Sequence, residues 1–155
     1  MDKIVEDRLL IDQPADVIFA YLSVPGNHAK FIPGMLRFEQ TSAGAFARAG
    51  AQALGLRRFL GLKFQIPYEI TEVQPNERLS MKGAMGPVKF EDGYILETNE
   101  NGTLVNFWLR PMLTGPMILA QPLVLLVGRT HAAETLSGLK NALEGRKELE
   151  YADAG

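Results

Sequence analysis

Residues 87–112, PVKFEDGYILETNENGTLVNFWLRPM, are the stretch that decides the fold. Apolar and polar side chains alternate on either side of the turn sequence NENG at residues 99–102, and alternation with a period of two is typical of a half-buried β-strand. Two such runs joined by a short turn rich in Asn and Gly predict a hairpin of antiparallel strands. The stretch therefore predicts an antiparallel sheet with one buried face.

The alternation also assigns the side chains of this hairpin to two faces. One face is apolar and aromatic, and it carries Val88, Phe90, Asp92, Tyr94, Leu96, Val105, Phe107 and Leu109. The opposite face is more polar and carries Lys89, Glu91 and Arg110 among others. We expect the first face to be buried and the second to meet solvent.

Similar strand-like runs, separated by turn residues, cover residues 3–11, 35–42, 48–59, 63–73 and 78–85. Two short helices are predicted after the first strand, at residues 14–22 and 27–32, because each ends before a Pro-Gly pair and the first has apolar residues three and four apart. A long helix is predicted over residues 116–146. Its apolar stripe, with a period of about 3.5 residues, consists of Ile118, Pro122, Leu125, Arg129, Ala132, Leu136, Leu139 and Leu143.

This order of elements is that of an α+β domain. A curved antiparallel sheet of seven strands, wrapped around the long C-terminal helix, accommodates all of them. Because neither a repeat nor a linker divides the chain, we expect one domain over residues 1–155.

The composition disfavours several classes of protein. The 155 residues include no Cys, so a disulfide framework and a thiolate metal site are excluded. With 16 Lys+Arg against 18 Asp+Glu, the net charge of −2 disfavours nucleic acid as a partner. His28 and His131 lie in no metal-binding motif, so no metal or cofactor is expected. The N-terminal segment has acidic residues where a signal peptide has an apolar core, and we expect a cytoplasmic protein.

Residues 111–128 contain no charged side chain, and their length approaches that of a bilayer span. Three prolines (Pro111, Pro116 and Pro122) divide them into pieces too short to cross. We expect a buried helix here. A helix that touches a membrane surface is the remaining alternative.

Three polar residues interrupt the predicted apolar interior, namely Tyr68, Asp92 and Arg129. Burying a charge is costly unless it is paired. Asp92 could reach solvent at a β-bulge, and Tyr68 could be an ordinary core residue. Arg129 could extend past the edge of its helix to water or pair with an acid near the mouth of the sheet. Alternatively, these residues and Tyr94 are the few polar groups of a ligand cavity between sheet and helix.

His28 is interpreted as a surface residue and, alternatively, as a general base. Arg57 is interpreted as part of a solvated strand edge.

Five segments give the sequence a resemblance to the START-like (SRPBCC) superfamily, in its polyketide cyclase/dehydrase and lipid-transport branch. They are IDQPADVIFAYL at residues 11–22, FIPG at 31–34, YEITEVQPNERL at 68–79, GTLVNF at 102–107 and LSGLKNALE at 136–144. The resemblance implies a helix-grip fold around a deep hydrophobic cavity. It also implies that the ligand is a hydrophobic small molecule such as a lipid, a quinone or a polyketide. Phe31 stands where relatives often have Trp.

Three functions follow as hypotheses. In the first, the domain binds a hydrophobic small molecule through residues that we expect to include Tyr68, Phe90, Tyr94, Phe107, Leu125 and Arg129. In the second, it is a cofactor-free cyclase, aromatase or dehydratase, with Asp92 or His28 as general base and with Tyr94 and Arg129 stabilising the developing enolate. In the third, it is a non-catalytic accessory module that docks through its apolar helix. The oligomeric state is left open.

Overall fold

Seven strands of the predicted kind are present in a computed structural model, which describes the backbone of residues 4–154 and the side chains of residues 4–145. They are β1 (Val5–Ile11), β2 (Met35–Gln40), β3 (Gln52–Phe59), β4 (Leu62–Gln74), β5 (Arg78–Met85), β6 (Val88–Asn99) and β7 (Gly102–Met112). They form one antiparallel sheet in the order β1-β7-β6-β5-β4-β3-β2. The predicted α+β fold class is confirmed.

The hairpin of β6 and β7 has the predicted register. Asn99 is opposite Gly102 at the turn, and Asp92 is opposite Leu109 further along. The register is regular throughout this pair, so the aromatic face of the hairpin is continuous. Irregularities in register, at which a strand can bend, occur between Met35 and Arg37 in β2 and between Ile70 and Glu72 in β4.

Two short helices follow β1. The first, α1 (Ala15–Leu22), begins directly after Pro14, and the second, α2 (His28–Phe31), follows one turn of 3-10 helix at Pro25–Asn27. The predicted strand at residues 48–59 is shorter than expected, because Gly50 has a φ of 91° and the chain turns before β3 begins. That conformation favours glycine and ends extended structure there.

The long helix α3 (Gln121–Ala154) packs across β1, β7 and α2. It approaches α2 so closely that a Cβ at Gly138 would lie 2.5 Å from the carbonyl oxygen of Phe31. The residues that it buries in the core are Leu125, Ala132, Leu136, Leu139 and Leu143.

The first part of the predicted stripe on α3 is only partly confirmed, because Leu125 is buried as predicted whereas Ile118 is exposed. Arg129 and Pro122 are exposed, and Gly128 takes the inner position. A Cβ at Gly128 would lie 3.3 Å from side-chain atoms of Val5 and Leu109. A straight helix has 3.6 residues per turn, so the buried line passes through Gly128. Because glycine has no side chain, a pattern of apolar side chains does not reveal it.

The prediction of a buried helix in the uncharged stretch at residues 111–128 is wrong for most of that stretch, although Leu125 and Gly128 are buried. One 3-10 segment, Gly115–Ala120, precedes α3, and several large apolar side chains of this region are exposed. They are Ile118, Leu119, Leu123, Leu126 and Val127. Among the described residues, no helix is both long and apolar enough to cross a membrane.

Candidate functional site

A cavity of about 110 Å³ lies between the inner face of the sheet and the first turns of α3. Most of its wall is apolar and comes from Ile66, Met81, Met85, Val88, Phe90, Phe107, Leu109, Val124 and Val127. Five polar side chains join this wall: Arg57, Tyr68, Asp92, Tyr94 and His131. Apolar walls with a few polar groups are typical of small-molecule sites.

The size of the cavity limits what it can hold. An apolar cavity of about 150 Å³ accepts a benzene molecule, whereas pockets for drug-sized ligands measure about 300–1,000 Å³. At about 110 Å³, this cavity has room for roughly one ring or a short branched chain. A larger ligand requires the wall to move, and the start of α3 is a part of the wall with exposed apolar side chains, Leu123 and Leu126 among them.

Asp92 is buried in the wall of the cavity, with 8% of its surface exposed. It lies on β6 between Phe90 and Tyr94, and β6 pairs regularly with both neighbouring strands at this point. The alternative of a bulge that turns Asp92 to solvent is therefore wrong. Its Oδ1 atom has no hydrogen-bond partner among the described residues. Burial raises the pKa of Asp92 to about 7, so near neutral pH the carboxyl can accept or donate a proton.

Two buried phenols flank Asp92 in the cavity wall. Burial raises the pKa of Tyr68 and of Tyr94, and the charge of Asp92 raises both further. Both side chains therefore keep their O–H at neutral pH and can donate hydrogen bonds. Tyr68 packs edge-on against Phe90, with ring centroids 5.9 Å apart, and Tyr94 packs against Phe107 at 5.2 Å. These contacts hold the phenols in place.

Arg57 lines the cavity, contrary to its prediction as a solvated strand edge. It lies on the inner face of β3, where it follows Ala53 and Gly55, and its side chain is half-buried. Because Ala53 and Gly55 are small, β3 shows no clear alternation of large apolar and polar side chains. The sequence pattern therefore did not reveal which face of β3 is the inner one. The neighbour Arg58 lies on the outer face and is exposed.

His131 reaches the cavity from α3, one turn after Val127. Its Nε2 atom lies 3.4 Å from the hydroxyl oxygen of Thr135, and its Nδ1 atom has no partner among the described residues. Burial lowers the pKa of His131 to about 3, and the charge of Arg57 contributes in the same direction. The imidazole is therefore neutral at physiological pH. The sequence contained no motif that singled this residue out.

His28, a predicted candidate base, is fully buried outside the cavity wall. Its Nε2 donates a hydrogen bond of 2.8 Å to the carbonyl oxygen of Leu22, and its ring stacks on Phe38 with centroids 4.9 Å apart. Burial lowers its pKa to about 4. Its interpretation as a surface residue is wrong, and its surroundings are those of a structural residue.

The structure places the other predicted contact residues as follows. Tyr68, Phe90, Tyr94 and Phe107 line the cavity together. Leu125 is buried in the core but does not line the cavity, and Arg129 is exposed on α3. In the described part of the chain, no group of three or more His, Asp or Glu side chains could hold a metal ion.

Comparison with solved structures supports the same fold. The Zhui aromatase/cyclase from Streptomyces sp. R1128 has 12% sequence identity and a TM-score of 0.75, with 100% of this chain and 99% of that chain covered. A START superfamily protein from Mycobacterium smegmatis has 18% identity and a TM-score of 0.67, with 94% and 97% covered. Ara h 8.0201 has 12% identity and a TM-score of 0.71, with 94% and 99% covered.

These similarities show that the chain has the START-like, or SRPBCC, fold with its helix-grip arrangement. No family model and no curated protein sequence matches the chain. At identities of 12–18%, the similarities concern the fold, and the role of the site depends on its own residues.

Proposed function

We propose that this protein binds a small hydrophobic molecule in the cavity between its sheet and α3. The observation that carries the proposal is the Asp92 carboxyl, which is buried in an apolar wall with one oxygen lacking a partner among the described residues. A buried polar group without a partner costs a few kcal/mol. A ligand that donates a hydrogen bond to Asp92 would offset this cost.

The wall of the cavity supports binding in a second way. Contact with aromatic rings and aliphatic side chains stabilises an apolar ligand by about 25 cal/mol per Å² of surface removed from water. The Tyr68 and Tyr94 hydroxyls can donate hydrogen bonds to a carbonyl or hydroxyl oxygen of that ligand. The cavity size favours a ligand, or an inserted ligand portion, of about one ring.

The test is a binding experiment with size-graded probes, such as benzyl alcohol, naphthol and a long-chain alcohol, monitored by thermal shift and NMR. We expect the single-ring probe to bind. The Val124→Phe variant places a ring in the cavity wall and should abolish binding. The matched control Leu123→Phe changes an exposed neighbour, 64% exposed, and should bind as the wild type does. Equal binding to both variants, or to neither, would contradict the cavity as the site.

Cofactor-free catalysis is a second candidate function, and the raised pKa of Asp92 favours it. A carboxyl with a pKa of about 7 is suited to general acid–base chemistry near neutral pH. In an aldol cyclisation or a dehydration, Asp92 would take the proton next to a carbonyl, and the Tyr94 hydroxyl would donate to the developing enolate. The test is turnover of a short poly-β-ketone. Asp92→Asn should abolish it while the protein stays folded, and unchanged turnover would refute the role.

Contact with a membrane surface or a partner is a third candidate, favoured by the exposed apolar side chains at the start of α3. Ile118, Leu119, Leu123 and Leu126 are each more than half exposed. If this surface docks on lipid, the double variant Leu123→Glu, Leu126→Glu should lose flotation with anionic vesicles and keep its melting temperature. A wild type that does not float would refute the lipid contact.

A further inference from the structure

Arg57 is the one cationic side chain among the described residues that line the cavity, because His131 is neutral. Its guanidinium carbon lies 5.5 Å from the centroid of the Phe59 ring. Its Nε–H is buried and has no hydrogen-bond partner among the described residues. Arg57 is half-buried, whereas Asp92 is buried.

The charge of Arg57 is only weakly compensated. Glu134 on α3 acts on it electrostatically, but Glu134 is exposed, and no ion pair within 4.0 Å joins Arg57 to a described carboxylate. The other groups that face Arg57 are uncharged, namely the phenol of Tyr68 and the imidazole of His131. A guanidinium stays protonated in proteins, and a partly buried one is normally paired with an anion. The anion here is missing from the described part of the chain.

We propose that the cavity selects organic acids, and that Arg57 binds the carboxylate of the ligand while the apolar body lies among Tyr68, Phe90 and Phe107. The fork of a guanidinium matches a carboxylate with two parallel hydrogen bonds. The inference rests on the proposed binding function, and it names the class of ligand: a small aromatic or branched aliphatic monocarboxylate. The end at Arg57 is favoured for the acid group, because the guanidinium is always charged whereas an ionised Asp92 would repel a carboxylate.

The test compares phenylacetate with phenylacetamide, which has the same ring and nearly the same shape but no charge. Binding is measured by calorimetry at neutral pH. Charge-assisted hydrogen bonds are about twice as strong as neutral ones, so we expect the wild type to bind the acid at least about tenfold more tightly than the amide. The Arg57→Gln variant should lose this preference, with little change in its affinity for the amide.

Arg58→Gln is the matched control, since it removes the same charge one residue away on the outer face. It should keep the wild-type preference for the acid. If Arg57→Gln does not fold, the Nε–H signal of Arg57 in an NMR spectrum of the wild type replaces it. That signal should shift with phenylacetate and stay in place with phenylacetamide.

The outcomes separate this inference from the proposed function. Equal affinity for acid and amide in the wild type, or a preference that survives in Arg57→Gln, would overturn the role of Arg57 and leave the cavity as a binding site. If neither probe binds while benzyl alcohol does, the acid preference is likewise overturned. If no single-ring probe binds at all, the binding function fails, and the ligand class fails with it.

Discussion

His28 and Asp92 are two buried polar residues on the inside of the same sheet, and their surroundings differ in one decisive respect. His28 is fully enclosed, it is hydrogen-bonded to the Leu22 carbonyl, and aromatic rings contact it from several sides. Each residue has one atom without a hydrogen-bond partner among the described residues, Nδ1 of His28 and Oδ1 of Asp92, but of the two only Asp92 lines the cavity. Burial alone therefore does not identify a functional polar group. A buried polar group that the fold leaves incompletely bonded beside a cavity is the informative one.

Tyr94 lies at the boundary between these two regions. Its ring is 6.5 Å from that of His28 on one side, and its side chain lines the cavity on the other. A change in the close-packed region can therefore reach the cavity through Tyr94. Three experiments test whether the surroundings of His28 and Asp92 differ in this way.

The largest change in the free energy of unfolding is expected from Asp92→Asn, and this change should depend on pH. The pKa of Asp92 is raised to about 7 in the folded protein, from 3.8 when exposed. Between these values the folded state holds a proton that the unfolded state has released, so the free energy of unfolding falls as the pH rises. The loss is fully present above pH 7 and amounts to about 4 kcal/mol as an order of magnitude. The Asn variant carries no ionisable group at this position, so it does not show this loss of stability as the pH rises.

Urea denaturation from pH 4 to pH 8.5 measures this difference between wild type and variant. The histidines act in the opposite sense, because the folded pKa of His28 is lowered to about 4 and stability is lost as the pH falls below 6.5. Their contribution is common to both proteins and cancels in the difference. A difference that stays constant with pH would show that Asp92 is not buried as a carboxyl.

The second effect concerns His28→Ala, which should lower the free energy of unfolding by about 3 kcal/mol. The variant removes a ring from a close-packed cluster and leaves the Leu22 carbonyl without its donor. His131→Ala is the matched comparison. The His131 ring already borders the cavity, so its removal should lower the free energy of unfolding by only about 1 kcal/mol. Equal losses in denaturant unfolding would contradict the distinction between packed and open surroundings.

The third and smallest effect is expected from Gly138→Ala on α3. The new methyl group would meet the Phe31 carbonyl oxygen at 2.5 Å and push α2 away, which should cost about 2 kcal/mol. Because Phe31 packs on both His28 and Tyr94, the strain should also alter the packed cluster. Gly145→Ala, whose methyl group meets nothing within 4 Å, should be neutral or stabilising by up to about 1 kcal/mol. Melting temperatures of the two variants test this, and we expect a lower value for Gly138→Ala than for Gly145→Ala.

Much of the cavity wall could be predicted because β6 and β7 alternate so regularly. Phe90, Asp92, Tyr94 and Phe107 are on one face by spacing alone, and the structure keeps them there. Arg57 was missed, since Ala53 and Gly55 beside it are too small to mark a face. Arg129 was predicted on the buried face of α3 but is exposed. The buried position is that of Gly128, which has no side chain and so does not appear in a pattern of apolar side chains.

The order of strands and helices, the antiparallel pairing and the inner face of β6 and β7 follow from the local pattern of apolar and polar residues, because those features depend on neighbours in the chain. The cavity does not follow from this local pattern. It depends on how far α3 is held from the sheet, and that distance results from contacts between residues remote in sequence, such as Gly138 with Phe31. Only the folded chain brings Arg57, Asp92 and His131 to one space, and only there is it visible which polar atoms lack a partner within the described structure.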